Sequence, residues 1–254
     1  MSVAYCSVNI CGFSRKTNGG VIVKYFGDEL SAMHRELTSV IRKADSFEHG
    51  MDIFLKIHSK LHSGEVSGAE KNNIDGLTDD LAPEEFYIMP GARDETIAWS
   101  LWHIARIEDL TMGILAAGGG QVFDESWKLR MKTAFTDTGN AMTDDEIMLI
   151  SKNIIIDELL KYRCAVGKRT REICGNLSSS DMKKRVSDKG LDRIFSEGGV
   201  TPQENSVWLL DFWGAKDIAG LLLMPASRHE IIHLNSCFKY KDDIRKKKRF
   251  YREQ

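Results

Sequence analysis

Histidines at helical spacing are the residues of this chain best suited to chemistry. His229 and His233 lie four positions apart, and so do His58 and His62. Residues four apart share one face of an α-helix, so each pair could offer two imidazole nitrogens to a single ion. Imidazole suits zinc, nickel, copper and ferrous iron. A structural role in the core is the alternative for each pair, and also for His103.

The pair His58 and His62 differs from His229 and His233 because it lies at the end of a predicted helix. His58 lies on an apolar stripe, but His62 is followed by Ser63 and Gly64, which indicate a frayed helix end. We therefore expect His58 and His62 to have a structural or solvent-facing role and not to bind a metal.

The remaining candidates lie on apolar rows that point inward. Two buried histidines one turn apart, as at His229 and His233, are costly unless something binds them. Their row continues to Cys237, about 12 Å from His229 along a helix, which we expect to be a core thiol. His103 shares a helical face with four apolar residues: Trp99, Ile107, Leu110 and Ile114.

The string HEIIH at 229–233 also matches the HExxH motif of zinc metalloproteases. In that motif the glutamate, here Glu230, is the general base for a zinc-bound water. The longer form of the motif needs glycine and histidine where this chain has Ser236 and Lys239. Glu230 also fits a capping box with Ser227 as the N-cap. A protease is therefore the lesser alternative, and Glu230 stays a candidate base.

Long intervals without proline carry the three-and-four spacing of packed helices. The pattern predicts helices over about 27–63, 94–117 and 143–177, the first with a break at Gly50 and the last with a capping box between Thr143 and Glu146. The segment at 64–80, after the first of these helices, is expected to be a loop. Four long helices around one core are the expected architecture.

The last third of the chain predicts three further helices. A short one is expected over 180–195, and the Thr201–Glu204 string TPQE predicts the start of another. The final helix should begin near Ser227 and run into a basic tail from Tyr240 to Arg252. The prediction is thus an all-α domain over 27–254, preceded by an extension over 1–26 that contains the strand-like string VIVKYF.

Composition limits the classes of function. The chain has 254 residues, 42% hydrophobic and 28% charged, with a formal net charge of −2. This balance argues against a nucleic-acid binder, and we expect the basic tail to be a solvated helix end. The sequence has no apolar run long enough for a membrane span and no secretory signal. Five cysteines without a CxxC pair suit a reducing environment, so a cytoplasmic location is predicted.

The two histidine segments together resemble the DinB-like (DinB/YfiT-like) superfamily of metal-binding four-helix bundles. IAWSLWHIARIED contains His103, and MPASRHEIIHLN contains His229 and His233, in the order of that family's ligands. The stretch LTDDLAPEEFYIMPGARDE resembles the family's approach to its second helix. The resemblance runs from about residue 48 onward, and the segments 1–26 and 117–143 are additions to it.

The resemblance implies one divalent metal ion held by His103, His229 and His233. Three neutral imidazoles leave coordination positions open, as in reactive sites. It further implies a homodimer and a metal-dependent hydrolase or thiol transferase acting on a small molecule, such as a low-molecular-weight thiol. A metal-binding stress-response module without catalysis is the alternative. Arg106 and Arg228 could bind an anionic substrate group, but surface salt bridges are the expected use.

Overall fold

A computed structural model describes residues 27–92 and 94–246 of the chain. Within these ranges the chain is α-helical and has no strand, apart from an isolated antiparallel bridge between Arg185 and Asp217. The predicted all-α class is therefore confirmed. The predicted extension at 1–26 and the end of the basic tail at 247–254 lie outside the described residues.

The helices, in chain order, are of very different lengths. They are α1 (Asp28–Val40), α2 (Phe47–Leu61), α3 (Gly64–Ser67), α4 (Asn73–Thr78), α5 (Ile97–Asp109), α6 (Glu125–Met131), α7 (Asp144–Asn153), α8 (Ile156–Asn176), α9 (Asp188–Ser196), α10 (Glu204–Gly214), α11 (Ile218–Leu223) and α12 (His229–Arg245). Short 3₁₀ turns lie at Ala44–Ser46 and Pro83–Tyr87. Wider π-helical turns at Leu110–Ala116 and Met224–Arg228 follow α5 and precede α12.

Helix α5 lies at the centre of the molecule. All 13 of its residues are buried, including the polar residues His103, Arg106 and Glu108. Helices α2, α8, α5 and α12 contact one another in a ring, each touching the next, and α12 closes the ring on α2. A helix buried on every side must pair its polar groups within the core. The buried polar side chains of α5 are therefore candidates for a functional site.

The predicted first helix over 27–63 is in fact two helices, α1 and α2, which pack against each other. The break lies at 41–46 and not at Gly50, which is inside α2. A Cβ at Gly50 would lie 3.1 Å from the Ile41 Cα, so this glycine lets the end of α1 approach α2 closely. Because the apolar stripe continues through the turn at 41–46, periodicity alone could not reveal the break between the two helices.

The predicted helix over 143–177 is also divided, into α7 and α8. The capping box between Thr143 and Glu146 is confirmed, with the Thr143 N–H donating to Glu146 Oε2 at 2.8 Å. The chain then leaves the helix at Ile154, and the Ile155 N–H donates to the Met131 carbonyl at 3.0 Å. This partner is distant in sequence, so no local signal marks the break.

Three other predicted boundaries differ from the structure. The expected loop over 64–80 contains α3 and α4, the latter with a capping box between Asn72 and Asp75. The short helix predicted over 180–195 is α9 and begins after Ser187, whose Oγ accepts from the Gly190 N–H at 3.2 Å. Helix α10 begins after Gln203, and no side-chain cap forms there. Of the described helices, none has both the length and the apolar character needed to cross a membrane.

Candidate metal centre

Helix α5 places His103 in the core through a cap and an aromatic stack. The helix begins after Thr96, whose Oγ1 accepts the Trp99 N–H at 3.0 Å. One turn later the ring of His103 stacks on the ring of Trp99, with centroids 4.6 Å apart and planes 10° apart. This contact fixes the plane of the imidazole.

The Nδ1 atom of His103 is held by a hydrogen bond to the backbone of a segment distant in sequence. Its Nδ1 lies 2.7 Å from the Thr138 carbonyl oxygen, which can only accept, so Nδ1 carries the proton and donates. In the neutral ring Nε2 then has a free lone pair, the arrangement that metal-ligating histidines usually show. Thr138 lies in the 117–143 segment, whose purpose the sequence did not reveal.

Gly139 allows this segment to approach α5. It has a φ of +80°, in the left-handed region that favours glycine. A Cβ here would lie 2.8 Å from Trp99 Nε1. Any other residue would therefore both strain the backbone and push on the ring that supports His103.

His229 and His233 lie on the first turns of α12. The chain reaches them through the π-helical turn Met224–Arg228, which contains Pro225, so the helical path continues upstream of the predicted start. The Ser227 Oγ donates to the Leu222 carbonyl at 2.7 Å and does not cap the helix. The predicted capping box between Ser227 and Glu230 is therefore wrong, because the backbone at this point is already helical.

The structure brings His103, His229 and His233 together. The Nε2 atoms of His103 and His229 are 3.1 Å apart, and the ligand atoms of the three residues all lie within 4.8 Å of one another. The ring of His233 lies 4.7 Å from that of His103 and 4.6 Å from that of His229. Two ligands about 2.1 Å from a tetrahedral ion are roughly 3.4 Å apart, so this group could hold a metal ion.

Burial keeps the three imidazoles neutral. Loss of hydration lowers the pKa of His103 to about 4, although the bond to the Thr138 carbonyl opposes this shift. Burial, followed by the other histidines of the group, lowers the pKa of His229 and of His233 well below the ordinary value. Metal ligation requires unprotonated nitrogen, so the group is ready to bind a cation at neutral pH.

A cavity of about 220 Å³ opens at these histidines. Aromatic side chains form much of its wall, and Asn140 is a polar group at its edge. The other walls come from α10, α5 and the π-helical turn, through Trp208, Phe212, Trp213, Ile107, Met224 and Pro225. Apolar walls with a few convergent polar groups are typical of small-molecule sites.

Glu230, the predicted general base, lies on another side of α12. Adjacent helical residues are about 100° apart around the axis, so Glu230 points away from the side of His229. The side chain is fully buried, and its Oε2 accepts from Arg163 Nη2 at 3.0 Å. It is not among the residues lining the cavity. Its role as a base stays a prediction, and its contacts indicate a structural task.

Of the two roles expected for His62, the solvent-facing one is wrong and the structural one fits its burial. The structure gives His58 and His62 no exposure at all, and both Nε2 atoms face the buried carboxylate of Glu108. The helix does end at Leu61, but α3 and α8 cover this end, since both pack against α2. A local signal of fraying cannot show what the rest of the chain places over it. The four-residue spacing of His58 and His62, together with the acidic residue Glu108 on the apolar helix α5, was the sequence signal that could have revealed this buried group.

Arg106 also differs from the expected surface ion pair. It is fully buried and donates to the Thr136 carbonyl at 2.8 Å, to Tyr162 Oη at 2.8 Å and to Asp109 Oδ2 at 3.1 Å. It therefore ties α5 to α8 and to the 117–143 segment. Arg228 is exposed, as expected.

Two further predictions concern the C-terminal helix. Cys237 is a core thiol as predicted, and burial raises its pKa to about 12. The described start of the basic tail is not a free solvated end. Lys241 donates to the Gly76 carbonyl at 2.7 Å and pairs with Asp80, so α12 is tied to the segment around α4.

Comparison with known proteins does not name a family for this chain. No family model matches it, and no curated protein matches it. The DinB-like resemblance thus rests on the two histidine segments and on the stretch that precedes the first of them.

Proposed function

We propose that this protein binds one divalent metal ion through His103, His229 and His233 and acts on a small, largely apolar molecule held in the adjoining cavity. The observation that carries the proposal is the position of three neutral imidazoles at the edge of an aromatic-walled cavity. A bound divalent ion would polarise a carbonyl group or acidify a water or thiol.

The protein's own residues have separate tasks in this proposal. Trp99 and the Thr138 carbonyl hold His103 in one orientation. Trp208 and Phe212 cover the apolar part of the ligand and limit access of water. Asn140 offers an amide that can bond a polar substituent. Hydrolysis and transfer of a low-molecular-weight thiol are the two reactions that fit, because each needs an activated oxygen or sulfur nucleophile beside an electrophile.

The proposal keeps the DinB-like bundle as its architecture. The ring of α2, α8, α5 and α12 supports it, as does the distribution of the three histidines over α5 and α12. The metal's identity, among zinc, nickel and iron, a homodimeric state and a cytoplasmic location stay predictions.

Two alternatives come from other classes. A metal-binding module without catalysis would have the same three ligands, and the cavity is the feature that favours an enzyme over it. A zinc protease of the HExxH type is less favoured, because Glu230 bonds to Arg163 and does not line the cavity.

The test combines metal analysis with an activity screen. Protein purified without chelator or a nickel column is expected to contain about one metal ion at this site, lost in His103→Ala and His233→Ala. Ester hydrolysis and transfer of a small thiol to an electrophile are then assayed with apolar substrates. Activity should disappear with the metal in both variants. His49→Ala is the matched control, since His49 is exposed.

Trp208→Ala separates catalysis from simple metal storage. It should raise KM for apolar substrates by about tenfold while metal content stays unchanged, because it removes cavity wall and no ligand. Metal that binds fully without activity in any assay would favour the non-catalytic module. Activity that persists in His103→Ala would contradict the proposal.

A further inference from the structure

A second cluster of metal-ligating side chains is enclosed in the core, and none of its members lines the cavity. His58 Nε2 lies 3.0 Å from Glu108 Oε1, and His62 Nε2 lies 3.1 Å from Glu108 Oε2. Glu230 Oε2 is 3.5 Å from the same His62 nitrogen. Three helices, α2, α5 and α12, thus direct nitrogen and oxygen atoms at one point.

We propose that His58, His62 and Glu108 bind a second divalent cation, of the zinc or ferrous-iron class, in an enclosed site with the Glu230 carboxylate beside it. Two histidines and one carboxylate are a ligand set that both metals use in proteins. This inference is independent of the proposed function, because it uses none of the three ligands at the cavity.

The spacing of the donor atoms fits an ion. The ligand atoms of the three residues lie within 4.8 Å of one another, and the His–Glu separations of 3.0 and 3.1 Å approach the roughly 3.4 Å between neighbouring ligands of a tetrahedral ion. His58 lies on α2, and His62 follows directly after its last residue, with its N–H donating to the His58 carbonyl at 3.2 Å, so the two side chains stay on one face. The rings of the two residues stack, with centroids 4.2 Å apart.

Unpartnered atoms point to the same place. In the described part of the chain, His62 Nε2 and Glu108 Oε2 have no hydrogen-bond partner although they are 3.1 Å apart, and Glu230 Oε1 has none either. All three side chains are fully buried. Buried polar atoms are normally paired, so the two that face each other here, His62 Nε2 and Glu108 Oε2, need an explanation. A cation between them would satisfy them together.

The surrounding chain leaves room for this arrangement. A Cβ at Gly167, on α8, would lie 2.6 Å from His62 Nδ1, so only glycine leaves space for this orientation of the ring. On α5, Glu108 is five residues from His103, about 140° around the axis, so one helix serves both clusters on different faces.

The charges of the cluster require at least one further unit of positive charge. Two buried carboxylates, Glu108 and Glu230, require compensating positive charge. Arg163 supplies one unit through its 3.0 Å bond to Glu230. The competing arrangement has a proton on His62 in place of the ion, and in that case the network holds itself together without metal.

Counting zinc in variants of the full-length protein distinguishes the two arrangements. The protein is produced in zinc-supplemented medium, purified without chelator, and its zinc is measured by mass spectrometry. About two zinc ions per chain are expected for the unaltered protein, about one for His58→Ala with His62→Ala, and about one for His103→Ala with His233→Ala. His49→Ala is the matched control on α2, exposed and expected to retain both ions.

The outcomes separate this inference from the proposed function. Zinc that is unchanged in His58→Ala with His62→Ala overturns the inference. A single ion that disappears only in that double variant supports the inference and overturns the proposed function. A single ion that disappears only in His103→Ala with His233→Ala supports the proposed function and overturns the inference.

Diffraction gives a test that does not depend on variants that fold. Crystals of the unaltered protein grown with Zn²⁺ should show anomalous density between His58 Nε2, His62 Nε2 and the Glu108 carboxylate. Data collected on both sides of the zinc absorption edge identify the element. Glu108→Gln, which preserves size, should remove this peak and leave the peak at His103. The absence of density at the enclosed cluster in the unaltered protein overturns the inference.

Discussion

The two histidine clusters share helices α5 and α12 but lie in opposite kinds of environment. His103, His229 and His233 are neutral and face a cavity with aromatic walls. His58 and His62 both face the buried carboxylate of Glu108, and His62 also faces Glu230, which pairs with Arg163, away from that cavity. Open coordination positions are typical of reactive sites and closed ones of structural sites. The difference supports the proposal that the first cluster serves ligand chemistry and the second the stability of the fold.

The protonation of the two clusters differs for the same reason. At the cavity few interactions oppose the effect of burial, so the pKa of each of the three histidines is lowered. In the enclosed cluster burial lowers the pKa of His58 to about 4, but Glu108 and Glu230 outweigh burial at His62 and raise its pKa to about 9. Those histidines in turn hold the pKa of Glu108 well below its usual value, against the effect of burial. Without metal, the enclosed cluster is therefore a buried ionic network.

The largest expected effect comes from removing charge at the enclosed cluster. Glu108→Gln in metal-free protein should lower the free energy of unfolding by about 3 kcal/mol, because Arg163 and His62 then have one carboxylate between them. His103→Gln on the same helix should cost about 1 kcal/mol, the net value of one hydrogen bond. Urea denaturation with chelator present measures both. Equal losses would show that the two clusters do not differ in their contribution to stability.

A smaller effect is expected from crowding His62. Gly167→Ala should lower the free energy of unfolding by about 2 kcal/mol, since the new methyl group meets the ring at 2.6 Å. Gly175→Ala on the same helix has nothing within 4 Å and should leave stability unchanged or raise it by about 0.5 kcal/mol. Thermal denaturation monitored by helical circular dichroism compares them. If Gly167→Ala behaves like Gly175→Ala, the His62 ring is not held where the structure shows it.

The smallest expected effect concerns the support of His103. Gly139→Ala should cost about 1 kcal/mol more than Gly118→Ala and weaken zinc binding by about tenfold. Both glycines have positive φ, of 80° and 64°, but only Gly139 has Trp99 against it. Competition with a chromophoric chelator measures zinc affinity, and tryptophan emission reports the displaced ring. Equal zinc affinity in the two variants would mean that Trp99 does not position His103.

The accuracy of the sequence-based predictions depended on the range of the interactions involved. The cap at Thr143 and the helical class depend on residues a few positions apart, and both are confirmed. The break at Ile155 depends on Met131, 24 positions away, and was missed. The architecture as a DinB-like bundle and the reaction itself stay predictions.

By itself the sequence determined that the chain is helical and that His229 and His233 share one face, because both follow from a repeat of 3.6 residues per turn. Only the tertiary structure decided which distant groups meet these histidines. It brought His103, which the resemblance had grouped with the pair, close to them and added the Thr138 carbonyl, and it placed Glu108 on α5 against His58 and His62. Burial depends on what the rest of the chain covers, and the sequence near His62 contains no sign of α3 and α8 lying over it. For this reason the same four-residue spacing led to a correct inward placement in one pair and, in the other, to a solvent-facing alternative that the structure excludes.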